Sequence, residues 1–258
     1  MKIYQIDAFT DQVFGGNYAA IIPLEEWLDD NTLLKIAQEN NYPETAYFIS
    51  NGENFHLRWF TPAFEVDLCG HATLAAAHVL FNHLNYDQNE IKFTTQSGIL
   101  TVEKSANNWL TMDFPARKPI AIDIPNELVE ALGAQPKEVL MSRDMLAIFE
   151  TEAEVKALQP DFKALQKVAG LGVIASAKGD KSDFVSRFFA PKANVDEDPA
   201  TGSAHCTLTP YWADVLNKND LHAFQISDRR GELNCVLQGD RVLISGQAVT
   251  YLIGDIFI

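Results

Sequence analysis

Apolar residues fall into short aromatic or alternating stretches and longer Ala/Leu-rich ones. Residues 56–61 and 184–190 are aromatic and apolar, as strands prefer. Residues 91–95 and 98–103 flank a short Gln96-Ser97 turn and predict a hairpin, and 109–114 follow with alternating polarity. Residues 70–84 are Ala/Leu-rich and predict a helix. A second helix is expected from about Gly202, with Pro210 breaking or restarting it, because proline lacks an N–H and crowds the preceding turn. A third is expected over 31–40, capped by Asn31 and apolar at Leu33, Leu34, Ile36 and Ala37. Pro43 ends it, and 46–49 read as a buried strand. Residues 115–125 hold three prolines and read as a linker.

These elements repeat. Arg58-Trp59-Phe60-Thr61-Pro62 is echoed by Arg187-Phe188-Phe189-Ala190-Pro191, an offset of 187 − 58 = 129. Val66-Asp67 pairs with Val195-Asp196 at the same offset. Gly70-His71-Ala72 pairs with Gly202-Ser203-Ala204 at 132, and Gly98-Ile99-Leu100 with Gly231-Glu232-Leu233 at 133. Four blocks kept in order indicate a duplicated fold whose second copy gains a few residues in its turn. The expected halves are 1–115 and 116–258, with the last strand able to return to the first half.

Composition narrows the function. With 258 residues, 47% of them hydrophobic, the chain can bury a large core. Its net charge of −15 repels nucleic acid and anionic membrane. Cys69, Cys206 and Cys235 are an odd, dispersed set, which suits a reducing cytoplasm rather than a disulfide framework. The start of the chain lacks the basic and apolar regions of a signal peptide, and no apolar run is long enough to span a bilayer.

Duplication bears on chemistry. Paired face to face, the two Gly-[His/Ser]-Ala turns would bring two helix N-termini, with their unpaired amides, to one cleft. Two such ends can hold an anion even on an acidic protein. A carboxylate at Glu44, entering a buried strand, is a candidate proton carrier. Asp196, Glu197 and Asp198 precede the second helix, and spacing alone does not choose among them. His71 and His78 share a helix face about 10.5 Å apart, too far to ligate one metal. No Cys-x-x-Cys, phosphate loop, Gly-x-Gly-x-x-Gly or Gly-x-Ser-x-Gly motif is present.

Several segments carry a family resemblance. They are Ile6-Asp7-Ala8-Phe9 with Phe14-Gly15-Gly16-Asn17, residues 41–46, residues 58–62, Cys69-Gly70-His71-Ala72-Thr73, and Asp198-Pro199-Ala200-Thr201-Gly202-Ser203-Ala204. On these the chain resembles the PhzF-like family of phenazine biosynthesis, whose fold is similar to diaminopimelate epimerase. The resemblance implies an α+β fold of two pseudo-symmetric halves, each a barrel-like sheet around a central helix. It implies a homodimer, no cofactor, no metal and a small anionic substrate. It gives Glu44 as the acid/base residue, with His71 and Asp198 as catalytic partners. Asn17, Gly70, Ala72, Thr201, Gly202 and Ser203 would bind substrate. Tyr18 and Pro43 stand where many members have Pro and Ser, which leaves the substrate open.

The expected activity is therefore a cofactor-independent isomerisation moving a proton within a small carboxylate-bearing substrate. Two alternatives remain at this point: a non-catalytic binding module that kept the fold, and a one-cysteine epimerase using Cys69. Two-cysteine racemisation is disfavoured, because no cysteine precedes Gly202 and Cys206 lies inside the helix.

Overall fold

A helix that is apolar on every side must be enclosed, and this chain encloses two. The computed structural model describes residues 1–258, the side chain of Ala106 aside. It is an α+β, sheet-dominated fold in two units, Met1–Asp113 with Ser245–Ile258, and Phe114–Ile244.

The first unit runs β1 (Lys2–Ala8), β2 (Asn17–Leu24), α1 (Asp30–Asn40), β3 (Thr45–Asn51), β4 (Asn54–Phe60), β5 (Glu65–Val66), α2 (Gly70–His83), β6 (Glu90–Thr95), β7 (Gly98–Lys104) and β8 (Leu110–Pro115). β1 pairs antiparallel with both β2 and the last strand, Ala248–Asp255. β2–β3 and β4–β6 are parallel pairs, and parallel neighbours need a crossover. α1 and α2 supply the two crossovers.

α1 lies on the outer face, where Leu33, Ile36 and Ala37 pack with Ile3, Ala20, Ile22, Tyr47 and Phe60. Its cap is Asp29 rather than the expected Asn31. The Asp29 carboxylate accepts from the Thr32 amide at 3.1 Å and the Thr32 hydroxyl at 2.7 Å. α2 is the enclosed helix: ten of its 14 residues are buried, including the run from His71 to Ala77.

The second unit runs β9 (Ile120–Ile122), α3 (Asn126–Leu132), β10 (Glu138–Met141), β11 (Met145–Ile148), α4 (Glu152–Ala157), α5 (Phe162–Leu165), β12 (Val173–Lys178), β13 (Phe184–Ala190), β14 (Val195–Asp198), α6 (Gly202–Leu216), β15 (Asp220–Gln225), β16 (Gly231–Gln238) and β17 (Arg241–Gly246). Its pairings repeat those of the first: β11–β12 and β13–β15 are parallel, and the hairpins around them antiparallel. The expected linker is partly structured, since β9 falls inside it and pairs with β10.

Strand register fixes the equivalences residue by residue. Thr45 pairs with Phe60 as Val173 pairs with Phe189, and the Ala20 amide donates to Glu44 O as the Met145 amide donates to Gly172 O, both at 3.0 Å. Position 44 therefore corresponds to Gly172. A Cβ at Gly172 would sit 2.5 Å from the buried Phe188 ring and 3.0 Å from Phe189 O.

The second copy gains its first residues earlier than the sequence offsets imply. Arg58 forks onto Glu65 at 2.7 Å twice, and Arg187 forks onto Glu197 at 2.8 and 2.7 Å. The short helical turn Pro191–Ala193 thus precedes the equivalent acid, so Val66 corresponds to Asp198 and not to Val195.

α6 corrects a second expectation, since it runs straight through Pro210. A proline there deprives the Cys206 carbonyl of its helical donor. The Arg117 amide takes that place at 2.8 Å, so the helix loses no satisfied group.

Glycine matters most at Gly16, the residue before β2, where φ is +56 and a Cβ would lie 2.0 Å from Ala8 O. Gly16→Ala should lower unfolding stability by more than about 2 kcal/mol. Gly52→Ala, at φ +72 with nothing within 4 Å, should cost only about 1 kcal/mol. Urea unfolding of the two variants measures the contrast.

Candidate functional site

In the first unit, three elements converge on one imidazole. His71 sits in the first turn of α2 and is 5% exposed. Glu44 ends the loop into β3, and its Oε2 lies 3.1 Å from His71 Nε2. Asn17 opens β2, and its Nδ2 lies 3.2 Å from His71 Nδ1. Cys69, the residue before α2, places Sγ 3.5 Å from Nδ1 and 4.0 Å from Nε2.

The contacts define a proton arrangement. With the Asn17 amide donating to Nδ1, the neutral ring carries its one N–H proton on Nε2 and donates it to the Glu44 carboxylate. Burial favours the neutral ring, whereas negative charge at Cys69 and at Glu44 would raise the His71 pKa. The Cys69 contribution requires a thiolate, whereas burial, joined by the Glu44 charge, pushes the Cys69 thiol up. Near neutral pH Cys69 is therefore a thiol, and Glu44 is the charge that attracts a proton to His71. Rotation of the Asn17 amide would present oxygen to Nδ1 and accommodate the doubly protonated ring. The imidazole can thus lend or accept a proton beside the carboxylate.

The same three side chains offer oxygen, sulfur and nitrogen within 4.8 Å of one another, a donor set a soft divalent cation could use. The sequence argument against a metal considered histidine spacings and Cys-x-x-Cys pairs, and the fold adds this cluster. His78, on the same helix, is employed elsewhere. It and His83 share the Thr250 hydroxyl at 3.0 and 2.7 Å, and burial lowers His78 to about 4.

In the second unit, β14 ends on Asp198 and α6 begins at Gly202. The Thr201 hydroxyl donates to Asp198 Oδ2. A fully buried Gln225, at the end of β15, braces this turn. Its Oε1 accepts from the Thr201 amide at 2.8 Å, and its Nε2 donates to Asp198 O at 2.6 Å and Thr201 Oγ1 at 3.1 Å. Gly202 and Thr201 are buried and Ser203 is half-buried in the first turn. Neither Cys69 nor Thr201 caps its helix through a side chain. The repeat extends to small contacts: Ser97 Oγ donates to Asp67 O and Ser227 Oγ to Pro199 O, both at 2.8 Å.

Glu44, His71 and Asn17 are in mutual contact through the ring, Gly70 and Ala72 flank His71 in the turn, and Asp198 and Thr201 meet in the second unit. Sequence reasoning missed Gln225. The one available signal was its place in the repeat. Thr95 ends β6 as Gln225 ends β15, but Thr95 turns to its own hairpin and donates to Gly98 O at 2.8 Å.

The fold is thus a duplicated sheet-wrapped helix with a half-buried carboxylate against a buried imidazole at one helix start. The family profile of phenazine biosynthesis-like proteins (PhzC-PhzF) matches residues 6–254. An uncharacterised isomerase of Pseudomonas aeruginosa is 47% identical over 256 residues, covering 99% of this chain and 98% of that protein. A crystal structure of a PhzF-family protein from Enterococcus faecalis superposes with a TM-score of 0.98 at 44% identity, covering 100% and 99% of the two chains. A probable proline racemase from Agrobacterium radiobacter K84 shares the fold alone, with a TM-score of 0.67 at 9% identity over 100% of this chain and 93% of that one. The chain belongs to the PhzF-like phenazine biosynthesis family and is an isomerase. No helix among the described residues is long and apolar enough to cross a membrane.

His205 tests the electrostatics of α6 directly. Its Nδ1 lies 2.9 Å from the carbonyl of Thr201, which can only accept, so the ring carries its proton on Nδ1. Burial lowers its pKa from 6.5 to about 4. The folded ring stays neutral while the unfolded ring gains a proton, so its support is whole above pH about 6.5 and is lost as pH falls towards 4. The loss is roughly 3 kcal/mol. Nitrogen-detected histidine NMR should show the Nδ1–H tautomer down to about pH 4, with urea stability declining over the same window.

Proposed function

We propose that the enzyme isomerises a small carboxylate-bearing substrate without a cofactor, Glu44 carrying the proton. The observation behind this reading is the 3.1 Å contact between Glu44 Oε2 and the buried His71 Nε2, with Asn17 holding the far side of the ring.

In the first step Glu44 takes a proton from a carbon next to a C=C bond; the C–H electron pair forms a new C=C bond while the old π pair moves to the far carbon of the allylic system. In the second, Glu44 delivers a proton to that far carbon, either the one it took or one exchanged from solvent while Glu44 held it. No electron leaves the substrate, so no redox partner enters the balance. One base on one face gives a suprafacial transfer. His71 supplies or withdraws hydrogen-bond density as Glu44 changes charge, which follows from its proximity. The substrate carboxylate is assigned to the amides after Gly70 or Gly202, where helix N-termini favour negative charge. Asp198 and Ser203 are assigned to polar contacts with the substrate.

A second reading uses Cys69 as an opposing base, because its sulfur also touches His71 at 3.5 Å. The upward push of burial on that thiol weighs against it.

Both readings are separated by incubating a panel of small unsaturated and amino carboxylic acids with enzyme in D₂O. Wild type should introduce solvent deuterium, and Glu44→Gln should slow exchange by about 10²–10⁴-fold. Equal exchange by the two proteins removes Glu44 from the chemistry. Cys69→Ala should retain exchange; its abolition would favour the thiol.

A further inference from the structure

Gln225 is a buried amide whose orientation can be decided without reference to function. Its Oε1 faces the Thr201 N–H, which only donates, and its Nε2 faces the Asp198 carbonyl, which only accepts. A flipped amide would set donor against donor and acceptor against acceptor. The assignment is therefore fixed by two backbone groups.

That fixed amide reaches a third atom. Its Nε2 also lies 3.1 Å from Thr201 Oγ1 and donates a hydrogen to it. Thr201 Oγ1 is also bonded to Asp198 Oδ2. With its oxygen accepting from the amide, the hydroxyl directs its own hydrogen to the carboxylate. The chain of donors runs one way: amide to hydroxyl to carboxylate. A hydrogen bond donated to a carboxylate stabilises the ionised form.

The geometry points to Gln225 as a positioning residue that, through Thr201, holds Asp198 as an ionised acceptor with one oxygen already committed. This rests on the reading above only in giving Asp198 a part in the reaction; the proton arrangement itself is a property of the free protein. It also explains why β15 ends on a long amide where β6 ends on Thr95. In the first unit no carboxylate occupies the residue equivalent to Asp198, which is Val66.

The test is the titration of Asp198 in protein without substrate, by carbon NMR of selectively labelled aspartate carboxyls, with the signal identified by its loss in Asp198→Asn. Thr201→Val removes the hydroxyl at nearly constant shape and should raise the Asp198 midpoint by about one pH unit. Thr201→Ser keeps the hydroxyl and should restore the wild-type value, which a merely structural role for the methyl group would not do. Gln225→Met removes the donor and should shift the midpoint upwards in the same direction. Should that variant fail to fold, Gln225→Asn introduces no charge but withdraws the amide by one methylene from Thr201 Oγ1, and should also raise the midpoint. An unchanged midpoint in Thr201→Val, or a shift in Thr201→Val unaccompanied by any in the folded Gln225 variant, overturns the proposal. Deuterium exchange through Glu44 is read separately, so either result can fail without the other.

Discussion

Enclosing an apolar helix inside a sheet is the constraint from which the rest of this architecture follows. α2 and α6 have no solvent-facing stripe over most of their length, so strands must surround them. Parallel neighbours on either side of each helix are the topological result, because the helix itself is the crossover. The enclosed helix still has one end whose amides need partners. Polar chemistry therefore gathers at residues 69–73 and 201–205, while the remaining turns are packed mainly with apolar residues, α6 also burying Thr207 and Thr209. At the first of these ends Thr73 Oγ1 bonds the carbonyl of Cys69 at 2.6 Å, and at the second His205 Nδ1 bonds that of Thr201 at 2.9 Å. Different side chains thus donate to the carbonyl of the equivalent residue just before each helix.

Much of this was legible in the sequence, because enclosure leaves a compositional mark. The Ala/Leu run of α2, the aromatic strands β4 and β13, and their repetition are direct consequences of burial on all sides. What escaped depends on partners remote in sequence. Pro210 is tolerated because Arg117 supplies an amide from 93 residues earlier, 210 − 117, and no local pattern announces that. The Asp29 cap was missed because Asn31 is equally able to cap when read in isolation. The repeat itself was found, yet its first insertion was placed too late, since the Val-Asp echo at 195–196 outweighed the less visible pairing of Arg187 with Glu197.

The candidate site shows the same division. Glu44 and His71 came from family resemblance and a local motif, and the fold brings them to 3.1 Å. Spacing gave no reason to join them, since they lie on a loop and a helix separated by three strands. The roles of Asn17 and Gln225 are harder still to foresee. Each is a buried amide at the end of a strand, and its meaning lies in which hydrogen it contributes. Composition does not carry that information, whereas register does.

The pairing of Glu44 with Gly172 across the repeat has a historical consequence. Descendants of a duplicated ancestor are free to exchange roles only while single changes can restore what either copy has lost. At position 172 the space for a side chain has been filled by Phe188, which is itself buried. An acid there would demand that the ring retreat first, and that change alone would lose packing. The asymmetry between the two copies at this position is thereby held by sterics.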